Sequence, residues 1–186
     1  MINICIFCGG QEFYSLDLLT QSQRLGKLIA ENNCCLIYGG GKTGMMGALS
    51  KSAIDHGAKV VSILPERIVD KTDIETNVHE LIITKTLAER KQIMFDRSDI
   101  FLTLPGAIGT MDEFFEVWVH LKLEYHNKPI GILNSHNYYD GLIQMLDSFS
   151  LISPVSKSSM EIMIEKCPEK LFHSAIKQHK SIKKGS

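Results

Sequence analysis

The sequence predicts an α/β fold: one domain built on a parallel sheet of six strands and a weaker seventh, flanked by helices. Three observations predict it. Short apolar runs rich in β-branched residues recur along the 186 residues, and most read apolar throughout, as strands buried on both faces do. Stretches with helical spacing separate them, and strand–helix alternation of this kind makes a parallel sheet wrapped by helices. Glycine-rich turns join strand to helix at two places, around Gly39–Gly47 and Gly106–Gly109.

Taken in order, strands are expected at 3–7, 34–38, 60–64, 80–84, 100–104 and 129–133, with the weak seventh at 162–165. The first helix, 16–31, places Leu18, Leu19, Leu25, Leu28 and Ile29 at helical spacing. Further helices are expected at 45–55, 87–97, 110–123 and 138–148. Pro168 suits the first turn of a last helix over 168–178. The domain is expected to span 1–178, and the basic stretch 179–186 to be a disordered, frayed tail.

Composition excludes several classes. Twenty Lys+Arg against twenty-one Asp+Glu leave a net charge of −1, so no nucleic acid partner of the strongly basic kind is expected. Neither a polybasic membrane anchor nor an apolar run of ~20 residues is present. The start, Met1-Ile2-Asn3-Ile4-Cys5, lacks the basic opening of a signal peptide, and a cytoplasmic location is the expectation. The five cysteines, Cys5, Cys8, Cys34, Cys35 and Cys167, do not space as a disulfide framework. Cys5 and Cys8 spell C-x-x-C, but residues three apart on a strand face opposite ways, and inert buried thiols are expected. His120, His126 and His136 form no ligand pattern with neighbouring acids, so no metal is expected.

The first glycine loop, Gly39-Gly40-Gly41-Lys42-Thr43-Gly44, matches G-x-G-x-x-G. It follows the second strand rather than the first, and Glu66 is a poor candidate for the ribose-binding acid. Leu36 stands where a Walker A loop needs glycine. A tight turn without ligand and a phosphate-binding loop are both open on this motif alone. The second loop, Pro105-Gly106-Ala107-Ile108-Gly109-Thr110, also has two readings. Thr110-x-x-Glu113 fits a capping box. Alternatively, the amides of 106–110 and the Thr110 hydroxyl cradle an anion. Acids at 112, 113 and 116 beside an anion make sense if one faces a developing positive charge, such as an oxocarbenium-like sugar.

The two loops, together with Glu89-Arg90-Lys91 between them and Ile4-Cys5-Ile6-Phe7-Cys8-Gly9 at the start, resemble the LONELY GUY (LOG) family of cytokinin riboside 5′-monophosphate phosphoribohydrolases, long labelled lysine decarboxylase-like. The resemblance implies a Rossmann-like homodimer without cofactor. It implies a small-molecule nucleotide substrate, AMP or an N6-modified AMP, cleaved to free base and ribose 5-phosphate. It implies Arg90 and Glu113 as the catalytic pair. Gly106, Ala107, Ile108, Gly109 and Thr110, with Lys91, would hold the phosphate and ribose, and Gly9, Gly10, Gly41 and Met46 the base. Glu116 would contact ribose or pair with Arg97.

The sequence departs from the family pattern at four places: Ala107 for glycine, Leu87-Ala88 for Met-His, Gly10 for serine and Val119 for threonine. If position 107 needs positive φ, alanine there strains the cradle. A lysine decarboxylase is not supported, since no lysine has a Schiff-base context. Two other readings compete with the hydrolase: a non-catalytic nucleotide-binding sensor or carrier, and a small nicotinamide-dependent oxidoreductase suggested by Gly39-x-Gly41-x-x-Gly44. The helix over 110–123, with Phe114, Phe115, Val117 and Trp118, is a candidate dimer element, although such an apolar helix is more simply core.

Overall fold

The computed structural model describes residues 1–12, 15–69, 73–152 and 162–185. Seven parallel strands form one sheet, in the order β4-β3-β2-β1-β5-β6-β7. They are β1 (Asn3–Phe7), β2 (Cys35–Tyr38), β3 (Lys59–Pro65), β4 (Glu80–Thr84), β5 (Ile100–Thr103), β6 (Ile130–Leu133) and β7 (Met163–Glu165). The helices are α1 (Leu16–Glu31), α2 (Gly44–Asp55), α3 (Glu66–Val69), α4 (Leu87–Arg97), α5 (Ile108–Lys122), α6 (Asp140–Ile152) and α7 (Pro168–Gly185).

The apolar runs are strands because both faces of the sheet are covered. Along β1, Ile4 and Ile6 enter one core with Leu25 and Ile29 of α1, Leu49 of α2 and Phe172 of α7. Cys5 and Phe7 enter the opposite core with Met94 of α4, Phe114 and Trp118 of α5 and Leu146 of α6. The period of two thus sends alternate residues to two helical layers. It also separates Cys5 from Cys8, which lies in the first core. Burial, aided by the nearby Glu113 carboxylate, pushes both thiols well above the ordinary cysteine range. Phe114, Val117 and Trp118 are core residues, as their apolar helix allows.

The strand order reverses direction at β1, whose neighbours are β2 and β5. In open parallel sheets a crevice opens there, outside the carboxyl ends of the strands. The loops leaving β1 and β5 meet at it, where the Gly9 amide donates to the Pro105 carbonyl at 3.2 Å.

Four elements differ from expectation. The four-residue α3 carries no buried side chain to advertise it. A 3-10 turn at Ser135–Asn137 takes up chain before α6, which starts at Asp140. The helix expected over 110–123 begins at Ile108. The last helix runs past 178 to Gly185, through the stretch expected to fray. Its inward stripe continues past Leu171, Phe172 and Ala175 to His179, which is buried. Ser186 lies outside the described residues.

Candidate active site

The first glycine loop turns from β2 into α2, yet the helix end it leads to is already occupied. The amides of Met45 and Met46, in the first turn of α2, both donate to the Gly9 carbonyl, at 3.1 and 3.2 Å. The Thr43 hydroxyl donates to the Gly10 carbonyl at 2.6 Å. From the other side, the Lys42 amide donates to Asp73 and the Glu75 amide to Gly40. Gly44 sits at φ +59°, with the Gln11 backbone where a Cβ would be. Two of the donors that make a helix N-terminus an anion site, the Met45 and Met46 amides, are therefore engaged by the chain itself. Of the two readings the motif left open, the tight turn is the one built here. The nicotinamide reading loses its pyrophosphate site, and Glu66 is an exposed residue of α3.

The second loop is arranged in the opposite way. Helix α5 starts with Ala107 as its N-cap, and no side chain caps it. The first helical bond is Met111 to Ala107 at 3.1 Å. The amides of Ile108, Gly109 and Thr110 take no backbone acceptor among the described residues. Fifteen residues of helix stand behind them, with the positive end of the dipole at the cleft. Thr110 is the third helical residue, not the cap, and is buried against Gly106, where a Cβ would strike the threonine side chain. Ala107 has φ −98°, ordinary extended backbone, so alanine replaces glycine there without strain.

A side-chain cap of that spacing does exist in this chain, one helix earlier. Thr86 caps α4 by accepting from the Glu89 amide at 3.0 Å, and the Glu89 carboxylate accepts from the Lys85 amide at 2.8 Å. Glu113 is freed for another role. Its Oε1 lies 2.9 Å from Arg90 Nη2, and the two side chains are only 9% and 12% exposed. Arg90 Nε donates to the Ile63 carbonyl at the end of β3, at 3.0 Å. The guanidinium passes over Gly39, where any Cβ would collide with it. Burial pushes the Glu113 carboxyl above the usual glutamate range, against the pull of Arg90. A buried guanidinium–carboxylate pair at the floor of a cleft, with one carboxylate oxygen left over, can meet a positive centre or a hydroxyl. The cleft has a volume of about 310 Å³.

Comparison with known proteins identifies the family. Residues 46–173 match the family described as possible lysine decarboxylase. A cytokinin riboside 5′-monophosphate phosphoribohydrolase of Mycobacterium marinum is 35% identical over 87% of this chain and 86% of its own. The chain belongs to the LOG family. An Arabidopsis thaliana LOG enzyme with the same activity in its name is 32% identical over 87% of this chain and 76% of its own. Among solved structures, the molybdenum cofactor binding protein of Rippkaea orientalis superposes with a TM-score of 0.69 at 25% identity, covering 94% of this chain and 97% of that one. The Chlamydomonas reinhardtii Moco carrier protein reaches 0.71 at 21% identity, over 97% and 98%, and shows the fold alone.

The LOG motifs do not all reach the cleft. Gly9, Gly10, Gly41, Met46, Arg90, Ala107, Gly109, Thr110 and Glu113 line it. Gly106 lies just behind, under Thr110. Ile108 is not among its walls, and its side chain is exposed. Lys91 and Glu116 are not among its walls. Lys91 Nζ is 2.9 Å from Asp112 and 2.7 Å from Glu116, tying α4 to α5. Burial opposes the charge of Lys91, but the bonds from Glu116 and Asp112 outweigh it and raise its pKa. Glu116 does not pair with Arg97, which pairs with Glu80 at 2.9 Å.

Gly39 and Cys8, which the sequence placed in motifs but not in the site, are walls too, and Gln11, Leu64 and Ile68 escaped the sequence reading. Leu64 lies at the carboxyl end of β3 and Ile68 just beyond it, and the rule that ligands sit there would have flagged them. Tyr138 and Tyr139 were also missed. Their hydroxyls donate to the carbonyls of Gly106 at 2.9 Å and Leu104 at 2.7 Å, and no local motif announces that contact.

Proposed function

We propose that this chain hydrolyses the N-glycosidic bond of purine nucleoside 5′-monophosphates, AMP or an N6-modified AMP, to free base and ribose 5-phosphate. The observation that carries the reading is the Arg90–Glu113 pair beside an uncapped helix N-terminus in one cleft. The LOG relatives named for this activity support it. The 5′-phosphate lies at the first turn of α5, on the amides of 107–110 and the Thr110 hydroxyl. The ribose lies over Glu113. The base lies toward Gly9, Gly10, Gly41 and Met46, with Leu64 and Ile68 as further apolar wall.

In the reaction the C1′–N9 bond breaks and its electron pair leaves with the base, which takes up a proton. Water adds its oxygen to C1′ and releases a proton. Positive charge accumulates on the ribose in between. Arg90 holds Glu113 Oε1, so the carboxylate is fixed before charge develops and Oε2 can meet the ribose hydroxyls, C1′ or the attacking water. Arg90 acts as a positioning charge, not as a proton donor. Lys91, held by Asp112 and Glu116, aligns α4 with α5 and so Arg90 with Glu113.

The working form is a homodimer. Ile108, Val119 and Leu123 on or beside α5, and Met145 on α6, are exposed apolar side chains that a second copy would cover. Sedimentation at micromolar concentration tests this, and a monomer would exclude it. No helix of the described residues is long and apolar enough to cross a membrane, and five free cysteines suit the reducing cytoplasm.

The activity test is direct. Wild type and Glu113→Ala are incubated with AMP and with N6-isopentenyl-AMP, and free base is followed by chromatography. Release by wild type alone is expected. A wild type that binds AMP but releases no base would leave the nucleotide-carrier reading in its place.

A further inference from the structure

We propose that Tyr138 is a positioning residue of the phosphate subsite: its hydroxyl fixes the Gly106–Ala107 peptide so that the Ala107 amide faces the anion. The inference rests on the phosphate placement above and adds a residue that lies outside the cleft and outside the glycine motifs. Tyr138 Oη donates to the Gly106 carbonyl at 2.9 Å. The peptide is planar, with its C=O and N–H pointing opposite ways. A carbonyl held toward Tyr138 therefore turns the N–H of Ala107 to the other side, and Ala107 is a wall of the cleft.

This peptide needs an outside restraint. Position 106 must be glycine, because Thr110 occupies the space of a Cβ. Glycine in turn leaves the backbone torsion before Ala107 without side-chain control. Any rotation would bring a carbonyl dipole toward the phosphate in place of an amide. The tyrosine itself is well seated. Its ring meets Tyr139 edge-on at 4.9 Å, and the buried Tyr139 hydroxyl holds the Leu104 carbonyl at 2.7 Å. The Tyr139 amide donates to Asn134 Oδ1 at 2.8 Å. Two consecutive tyrosines thus grip the second glycine loop at two carbonyls, one on each side of Pro105.

The test is Tyr138→Phe, which keeps the ring and its contact with Tyr139 and removes only the donor. Calorimetry with ribose 5-phosphate, AMP and adenosine, and steady-state kinetics with AMP, are run on both proteins. Ribose 5-phosphate and AMP are expected to bind roughly threefold to tenfold more weakly, the effect of one lost neutral hydrogen bond. The KM for AMP rises by the same factor, kcat changes less than about twofold, and adenosine binds equally well. Equal ribose 5-phosphate affinity in the two proteins would overturn the proposal. So would an equal loss for AMP and adenosine, which would mark a general structural role. If wild type releases no base, yet Tyr138→Phe weakens ribose 5-phosphate and AMP but not adenosine, the hydrolase reading falls and this one stands. A wild type that binds neither ribose 5-phosphate nor AMP overturns both.

Discussion

The two glycine loops look alike in sequence and do opposite jobs. Each follows a parallel strand, each carries spaced glycines and each opens a helix. At α2 the first-turn amides of Met45 and Met46 are spent on the Gly9 carbonyl. At α5 no side chain caps the helix, and the amides of Ile108, Gly109 and Thr110 find no backbone acceptor among the described residues. The first loop is a shelf that supports the β1 loop and admits the Arg90 guanidinium over Gly39. The second is the proposed anion subsite. A glycine motif locates close backbone approach, and what approaches is decided by where the neighbouring carbonyls point. Binding and chemistry should therefore respond to changes at the second loop, and stability to changes at the first.

The largest expected effect is at the carboxylate behind the second loop. Glu113→Gln keeps the shape and removes the charge, and kcat for AMP should fall roughly a hundredfold to a thousandfold, the cost of losing one fixed electrostatic partner. AMP binding should survive, which calorimetry reads. Unchanged turnover would remove Glu113 from the mechanism. The next contrast sets one glycine of each loop against the other. Gly106→Ala drives Thr110 off the loop, and the KM for AMP should rise roughly tenfold to a hundredfold, because misplacement on the order of 1 Å is costly in a positioned site. Gly44→Ala meets the Gln11 backbone at positive φ, so it should lower unfolding free energy by about 1–3 kcal/mol in denaturant titration, with a smaller change in KM. If the two substitutions trade these effects, the division of labour between the loops is wrong.

The fold was legible because its information is local and redundant. β1 alternates cleanly between two cores. The candidate site was legible only where a motif touches the cleft. Thr86-x-x-Glu89 and Thr110-x-x-Glu113 have the same spacing, yet only the first caps its helix. The second is displaced because α5 starts at Ile108, which frees Glu113 to meet Arg90 from the neighbouring helix. Nothing within either segment encodes that meeting. It follows from α4 and α5 packing on the same face of the sheet. Lys91 was illegible for the same reason: a lysine beside a phosphate loop suggests an anion ligand, and nothing local shows that Asp112 and Glu116, one turn apart on α5, pair with it.

The raised Glu113 carboxyl gives the comparison a pH signature. Burial is its main cause and the Arg90 guanidinium limits it. If the carboxylate form is the working one, kcat/KM for AMP should climb with pH through a value above the ordinary glutamate range and level off beyond it. Arg90→Met, which removes the limiting charge, should push that acid limb higher. The stability consequence has the opposite sign. The folded chain holds the Glu113 proton more tightly than the unfolded chain does. This group's contribution is therefore complete below the unfolded pKa and is lost as pH rises through the folded one. Thermal unfolding of wild type against Glu113→Gln across pH 4 to 8 reads that difference. An acid limb at the ordinary glutamate position, unmoved by Arg90→Met, would mean that another group controls the rate.

The smallest effect is expected where the sequence departs from its family inside the open loop. Ala107 stands in place of glycine, but its φ of −98° asks for no glycine. Restoring glycine would then relieve no strain and would add freedom to the unfolded chain, costing about 0.5–1 kcal/mol. Ala107→Gly should melt about 1–4 °C lower in a chain of this size. Its KM for AMP should stay within about twofold, since the amide that faces the phosphate belongs to the backbone. A large fall in KM would instead mean that the alanine methyl, which lines the cleft, crowds the bound phosphate. The second loop would then be open in its hydrogen bonding but partly closed in its shape, and alanine at 107 would be a device that selects among phosphorylated ligands.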